Sequence, residues 1–170
     1  SPELCMKRLL AAGYPRIFQI CKCFRQNERG SKHLPELTML EWYTLETDYF
    51  DMMAQTEDLI SDVVENINSN RYLVYQGNKI ELKKPWPKIS VAKAFDQFTT
   101  TTLENALSKD LFDEILTAEI EPNLGRKAPV FLYDYPASFA PLAIKKPESP
   151  SFAQRFELYI AGLELCNGYS

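Results

Sequence analysis

Phe24-Arg25-Gln26-Asn27-Glu28-Arg29-Gly30-Ser31-Lys32-His33-Leu34-Pro35-Glu36-Leu37-Thr38-Met39-Leu40-Glu41-Trp42-Tyr43 is the stretch on which the reading of this chain turns. Before it, residues 16–24 alternate apolar and polar side chains, the period of a half-buried strand. Residues 37–43 are rich in aromatic and β-forming side chains, so the whole predicts strand, loop, strand. A hairpin that only reverses the chain needs about two residues between its strands. This connection instead carries Arg25, Arg29, Lys32 and His33 around an embedded Pro35. Charged loop residues are most simply solvated, but that many cations on a long loop suit an anionic ligand. Glu41 adds to this reading, because a carboxylate inside an apolar strand is costly to bury without a partner. With Thr38 and Tyr43 it reads as part of a polar floor in a mostly apolar site.

Working outward, residues 1–12 predict a helix starting at Ser1 or Pro2 and stopped by Gly13, with Leu4, Met6, Leu9 and Leu10 apolar. Asp48 is placed to cap a long helix reaching Asn68. Phe50, Met53, Ala54, Leu59, Ile60, Val63, Val64 and Ile67 mark its apolar stripe, and Asp51, Glu57, Asp58, Asp62 and Glu65 a solvated face. Residues 72–82 read as a small hairpin turning at Gly77-Asn78, and residues 83–88 as an extended linker. Ser90 caps a helix to Phe98, the run Thr99 to Thr102 reads as a break and an N-cap, and residues 103–107 and 111–120 carry helical patterns. Residues 129–136 form a continuous apolar run, read as a central strand. The segment from Phe152 to Tyr169 returns as two strands bent at Gly162, with Phe156, Leu158 and Ile160 on one face and Glu157 and Tyr159 on the other.

The 170 residues suffice for one domain with a core, and the composition is that of an ordinary globular protein. No apolar run approaches the ~20 residues of a membrane span, and the N-terminal residues lack a signal-peptide pattern. A net charge of −4 excludes wholesale nucleic-acid binding through a basic surface, so any contact with tRNA must be local. Cys21 and Cys23 lie two apart on a strand and share a face. With His33 the only histidine, the four cysteines read as reduced thiols, which suits the cytoplasm.

Three segments carry a resemblance to a known family. Phe24-Arg25, His33, Pro35-Glu36 and residues 38–43 resemble motif 2 of the class II aminoacyl-tRNA synthetases of lysyl type. Ser1-Pro2-Glu3 with residues 6–10 resembles the substrate segment of that family. Residues 133–138, 155–159 and 162–169 resemble its ATP-site strands. Within the family, the chain is most similar to the ligases that modify elongation factor P, paralogues of the lysyl-tRNA synthetases without the anticodon-binding domain.

The resemblance implies an α+β fold, an antiparallel sheet flanked by helices, in which the hairpin strands share one sheet with residues 130–135 and 155–167. It makes residues 1–170 the central part of a catalytic domain, with motif 2 at about 17–43, a helical insertion at about 84–125 and ATP-site strands at about 129–170. The motif 1 and motif 3 segments are expected to be absent from it. It implies ATP-dependent activation of lysine or β-lysine as an adenylate, with Mg2+, and transfer to a lysine of elongation factor P. The intact protein is expected to be a homodimer. Transfer to tRNA and a truncated, non-catalytic nucleotide- or protein-binding paralogue stand as alternatives. Ser1, Pro2, Glu3, Glu41, Tyr43 and Asn167 are the implied substrate-binding residues. Arg25, Gln26, Asn27, Glu28, His33, Leu34, Glu164 and Leu165 are the implied ATP-binding residues, with Arg25 catalytic at the α-phosphate and Glu164 the metal ligand. Asn27 and Leu34 depart from the family pattern, where Glu and Asn are usual.

Overall fold

The computed structural model describes residues 1–27, 30, 33–68 and 71–170, apart from the side chain of Asn68. The chain divides into two compact units, Ser1–Thr47 and Asp48–Ser170.

In the first unit, helix α1 (Glu3–Ala11) precedes a hairpin of β1 (Arg16–Phe24) and β2 (Glu36–Thr44). The helix ends before Gly13, whose φ of 97° is a left-handed conformation that glycine adopts without penalty. The strands pair antiparallel with no register break, setting Gln19 opposite Glu41 and Cys21 opposite Met39. Alternation then gives the hairpin two faces. One carries Ile17, Gln19, Cys21, Cys23, Leu37, Met39, Glu41 and Tyr43. The other leaves Phe18, Ile20, Phe24 and Leu40 exposed.

The second unit opens with α2 (Tyr49–Asn68), capped as expected: Asp48 Oδ1 accepts from the amides of Phe50 at 2.8 Å and Asp51 at 2.9 Å. Its buried line differs from the expected one. Tyr49, Met53, Thr56, Glu57, Ser61 and Val64 are buried, while Phe50, Leu59, Val63 and Ile67 are exposed. Glu57 was expected on the solvated face. It turns inward because its carboxylate accepts the amide of Trp86 at 3.1 Å, which satisfies both groups away from water. Strands β3 (Tyr72–Tyr75) and β4 (Asn78–Glu81) form a separate hairpin. Its turn falls at Gln76-Gly77, one residue earlier than read, because both take the positive φ that a two-residue hairpin turn demands.

Strand β5 (Lys88–Ser90) leads into α3 (Val91–Phe98), where Ser90 Oγ accepts from Lys93 N at 3.3 Å. Thr102 caps α4 (Leu103–Ser108) in the same way at 3.2 Å, and α5 (Phe112–Ile115) continues into wider and tighter helical turns to Asn123. Strands β6 (Val130–Pro136), β7 (Lys145–Lys146), β8 (Ser149–Ile160) and β9 (Leu163–Tyr169) complete a five-stranded sheet with β5. Within it β5 and β6 run parallel, and all other pairs are antiparallel. One core, with Tyr49, Met53, Trp86, Phe131, Phe156 and Leu158, joins α2 to one sheet face. The other core, with Phe95, Phe112, Leu132, Tyr135 and Tyr159, joins α3–α5 to the opposite face.

A single sheet uniting β1 and β2 with the C-terminal strands is not what the structure shows. The hairpin is a two-stranded sheet of its own.

Two irregularities set which side chains meet. At Asp134 (φ 59°) a bulge in β6 interrupts pairing with β8. The extra residue places Leu132 and Tyr135, three apart, in the same core, where a regular strand would put them on opposite faces. Tyr49 Oη donates to Asp134 Oδ1 at 2.8 Å and Lys146 Nζ to Oδ2 at 2.5 Å, fixing the bulge. In β9 the register shifts at Leu165, so that Glu164 faces Tyr159 and Asn167 faces Glu157. Gly168 lies opposite Phe156, and a Cβ there would come within 2.7 Å of the ring.

Candidate functional site

In the first unit, three of the expected residues come together. Glu41 is half-buried on β2 and accepts from two hydroxyls. Tyr43 Oη donates to Oε2 at 2.8 Å, and Ser1 Oγ donates to Oε1. Tyr43 reaches it because residues two apart on a strand share a face. Ser1 reaches it from the segment that starts α1, and its Oγ also accepts the amide of Glu3 at 3.2 Å. Of the polar floor read from the sequence, Glu41 and Tyr43 are hydrogen-bonded together with Ser1, whereas Thr38, three residues from Glu41 on β2, stands on the other face of the hairpin. The side chain of Glu3 pairs with Lys7 at 2.7 Å, one helical turn on. Pro2 is the N-cap residue of α1 and makes no side-chain hydrogen bond there.

Arg25 begins the connecting loop, where its backbone amide donates to Pro35 O at 2.8 Å and ties the two ends of the loop together. Gln26, Asn27, His33 and Leu34 are exposed. Asn27 takes a φ of 63°, a left-handed conformation that asparagine tolerates better than glutamate. Glu28 lies outside the described residues.

In the second unit, Glu164 and Asn167 share a face, with Asn167 Nδ2 reaching Glu164 Oε1 at 3.5 Å. Leu165 is exposed on the register shift. On the same face lies a buried acidic network that the sequence reading did not single out. Glu157 is 6% exposed and accepts from Tyr135 Oη at 2.5 Å, Tyr159 Oη at 2.6 Å and Arg155 Nη2 at 2.6 Å. Arg155 Nη1 in turn donates to Phe139 O at 2.6 Å. Burial and the Glu157 charge both raise the tyrosine pKa values, so the phenols stay protonated as donors. The signal that could have found Glu157 is the one that found Glu41: a carboxylate inside the apolar run Phe156–Ile160.

Glu164 is open to solvent at its edge, yet protein crowding around the carboxylate and then the Glu157 charge push its pKa up to about 7. Asn167 and Arg155 pull it down, and Glu121 pushes it up further. Negative potential therefore accumulates here without full compensation. Among the described residues, no group of three or more His, Cys, Asp or Glu is arranged to hold a metal ion. A single carboxylate in a negative field still fits Mg2+, which commonly takes one or two carboxylates and completes its shell with phosphate and water.

A pH effect follows from that raised pKa. Between the ordinary 4.5 and about 7 the folded chain holds a proton at Glu164 that the unfolded chain has released. Stability from this group is therefore lost as pH rises through that window. Glu164→Gln is expected to leave the melting temperature unchanged near pH 4 and to raise it near pH 8. Paired thermal melts at the two pH values check this, and a lower melting temperature for the variant at pH 8 would refute it.

Comparison with known proteins shows the family of the chain. The family model described as tRNA synthetases class II (D, K and N) matches residues 1–170. A Lysine--tRNA ligase of Carboxydothermus hydrogenoformans is 37% identical over 100% of this chain and 39% of its own length. A Lysine--tRNA ligase 2 of Methanosarcina mazei is 36% identical over 100% of the chain and 37% of its own length. An Elongation factor P--(R)-beta-lysine ligase of Yersinia enterocolitica is 38% identical over 99% of the chain and 54% of its own length. The chain thus spans from about four tenths to just over half of the relatives it matches.

Proposed function

This chain belongs to the class II tRNA synthetases of the D, K and N group, and from that premise we propose that its full-length protein joins lysine or β-lysine to ATP as an adenylate and passes the acyl group to a lysine of elongation factor P. The observation that carries the reading is the state of Glu41. A carboxylate offers about four acceptor positions, and Ser1 and Tyr43 take two of them. The rest suit an ammonium group, which brings three donors and a compensating charge. A lysine-like substrate has two such amines, and a hydrogen-bonded carboxylate of fixed orientation discriminates well against substrates lacking one.

In the proposed reaction the substrate carboxylate oxygen attacks the α-phosphorus, the new C–O–P linkage forms, and pyrophosphate leaves. Both reactants are anions, so the protein's task is to hold them in line and stabilise charge at phosphorus. Arg25 has the chemistry for the α-phosphate, since a guanidinium stays charged and can bind two oxygens together. Its place at the start of a loop whose ends are tied by the Arg25–Pro35 hydrogen bond supports that role. Glu164, with Asn167 orienting its carboxylate, has the chemistry to hold Mg2+. That ion would supply charge neutralisation on the triphosphate. Gln26, Asn27, Glu28, His33, Leu34 and Leu165 complete the proposed nucleotide contacts, and Pro2 and Glu3 the substrate segment. The reading carries with it a cytoplasmic homodimer.

Transfer to elongation factor P is preferred over transfer to tRNA on three sequence features. They are Glu41-Trp42-Tyr43 after Thr38-Met39-Leu40, the short helical insertion, and the Pro136-Ala137-Ser138 segment. The tRNA reading is favoured by the lysine–tRNA ligases among the relatives. Amino-acid-dependent ATP–pyrophosphate exchange in the full-length protein tests the shared first step, with lysine and β-lysine as alternatives. Supplying elongation factor P or tRNA to the preformed adenylate then identifies the acceptor. Absence of exchange with either amino acid would overturn the proposal in favour of a non-catalytic paralogue.

A further inference from the structure

Gln19 has no part in the chemistry above, yet it stands beside the residue that carries the reading. It is the direct cross-strand partner of Glu41 in a ladder with no register break. Opposite residues of an antiparallel pair project from the same face, with Cβ atoms about 4.5–5.5 Å apart. That spacing puts the Glu41 carboxylate within reach of a glutamine side chain. The neighbouring rows of the same face pair Ile17 with Tyr43 and Cys21 with Met39. Of these four, only Tyr43 carries a strong polar group, and its hydroxyl donates to Glu41 Oε2 at 2.8 Å.

The residues of this group differ in what they have satisfied. Ser1 and Tyr43 both donate to Glu41. Gln19 makes no hydrogen bond among the described residues, although it stands opposite a carboxylate. It is exposed, while Glu41 and Tyr43 are half-buried, so it borders the group on its solvent side. Water can serve the amide in the free protein. A ligand that settles on Glu41 displaces that water and must replace its hydrogen bonds. A primary amide offers a carbonyl acceptor beside its N–H donors, whereas an ammonium has three donors and no acceptor. Glu41 supplies the opposite charge, and the Gln19 carbonyl suits an N–H that the carboxylate leaves over.

We propose that Gln19 is a specificity-determining residue of the amino-acid site: its side-chain carbonyl accepts from the same ammonium group that Glu41 neutralises. The assignment rests on the reading of Glu41 as an ammonium site. It adds a selection that charge alone does not make. A carboxylate attracts any cation, whereas two acceptors on adjacent strands select a cation with N–H donors pointing both ways. The contact is present in the bound substrate and in the transition state alike, so its loss weakens binding without slowing the chemical step.

Dissociation constants measured by calorimetry on the full-length protein test this. The ligands are the diamines lysine and β-lysine, and two monoamine analogues. Norleucine lacks the ε-ammonium of lysine, and ε-aminocaproate lacks the α-ammonium. Gln19→Met keeps the side-chain length and removes the amide. It is expected to weaken binding of the diamine about tenfold or more, the usual loss for a hydrogen bond to a charged group. The monoamine that retains the Glu41-bound ammonium should weaken by the same factor, and the one that lacks it should bind as to wild type. Gln19→Glu retains an acceptor and should bind the diamine at least as tightly as wild type. Unchanged diamine affinity in Gln19→Met, an equal loss for every ligand, or a Gln19→Glu variant as weak as Gln19→Met would each overturn the proposal. Pyrophosphate exchange on the same proteins keeps the adenylation reading separate. Diamine binding that depends on Gln19, without exchange, would remove adenylation and leave this assignment standing. Normal exchange with an unaltered KM in Gln19→Met would do the reverse, and no binding of either diamine to wild type would overturn both.

Discussion

Replacing Arg25 by alanine in the full-length protein is expected to slow adenylate formation by about 10²–10³-fold, the usual effect of removing one preorganised contact to developing charge. The loss should fall on the chemical step more than on amino-acid affinity. A guanidinium at the phosphate gains most as charge builds on the way to the adenylate. The fold should hardly notice. Arg25 is exposed, and the hydrogen bond to Pro35 O that ties the ends of the loop is made by its backbone amide, which alanine retains. A stability change below about 1 kcal/mol is expected. Pyrophosphate exchange and unfolding measured on the same variant separate this from a structural role, which predicts normal exchange and a clear loss of stability.

The largest stability effect is expected from Glu157→Ala. That carboxylate is the common acceptor for Tyr135, Tyr159 and Arg155 beside the core of α3–α5. Its removal takes the shared acceptor from all three, leaving Tyr159 the longer contact to Glu121 at 3.3 Å and Arg155 the Phe139 carbonyl, and breaking one side of a buried charge pair costs about 3–5 kcal/mol. Glu157→Gln keeps one carbonyl acceptor and the side-chain volume, so it should cost clearly less. Denaturant unfolding of the two variants checks the order. Equal losses would mean that volume, and not the charged acceptor, is what the core requires.

How far the sequence could be read depended on whether the deciding interaction was local. The hairpin at 16–24 and 36–44 was legible because alternation is a property of a strand by itself. The caps at Asp48 and Ser90 were legible because each acts on an amide two or three residues away, and within the threonine run 99–102 the cap falls at Thr102. The buried face of α2 was not. An apolar stripe through Leu59, Val63 and Ile67 promised a core, but Glu57 found the Trp86 amide and Ser61 and Thr56 turned inward with it. No pattern along the helix announces a partner 29 residues away. The same limit governed the site. Glu41 stood out against its apolar neighbours, and Tyr43 two residues on was its natural donor. Its bond to Ser1 spans 40 residues, and only the family resemblance had placed the two in one pocket. Two of the Glu157 donors, Arg155 and Tyr159, stand two residues away on β8 itself, and only Tyr135 is brought to it by the pairing of β6 with β8.

The bulge at Asp134 acts on the chain after it as a frame does on a text. Side chains before it and side chains after it keep separate odd–even counts, and the one extra residue reconciles them. Exchanging Asp134 for another residue would loosen the contacts with Tyr49 and Lys146 but preserve the count. Deleting it would shorten the strand by one place and send Tyr135 to the opposite side of the sheet, away from Glu157. The segment is thus far more sensitive to a change in length than to a change in identity. The number of residues between Leu132 and Tyr135 is what the shared core holds fixed.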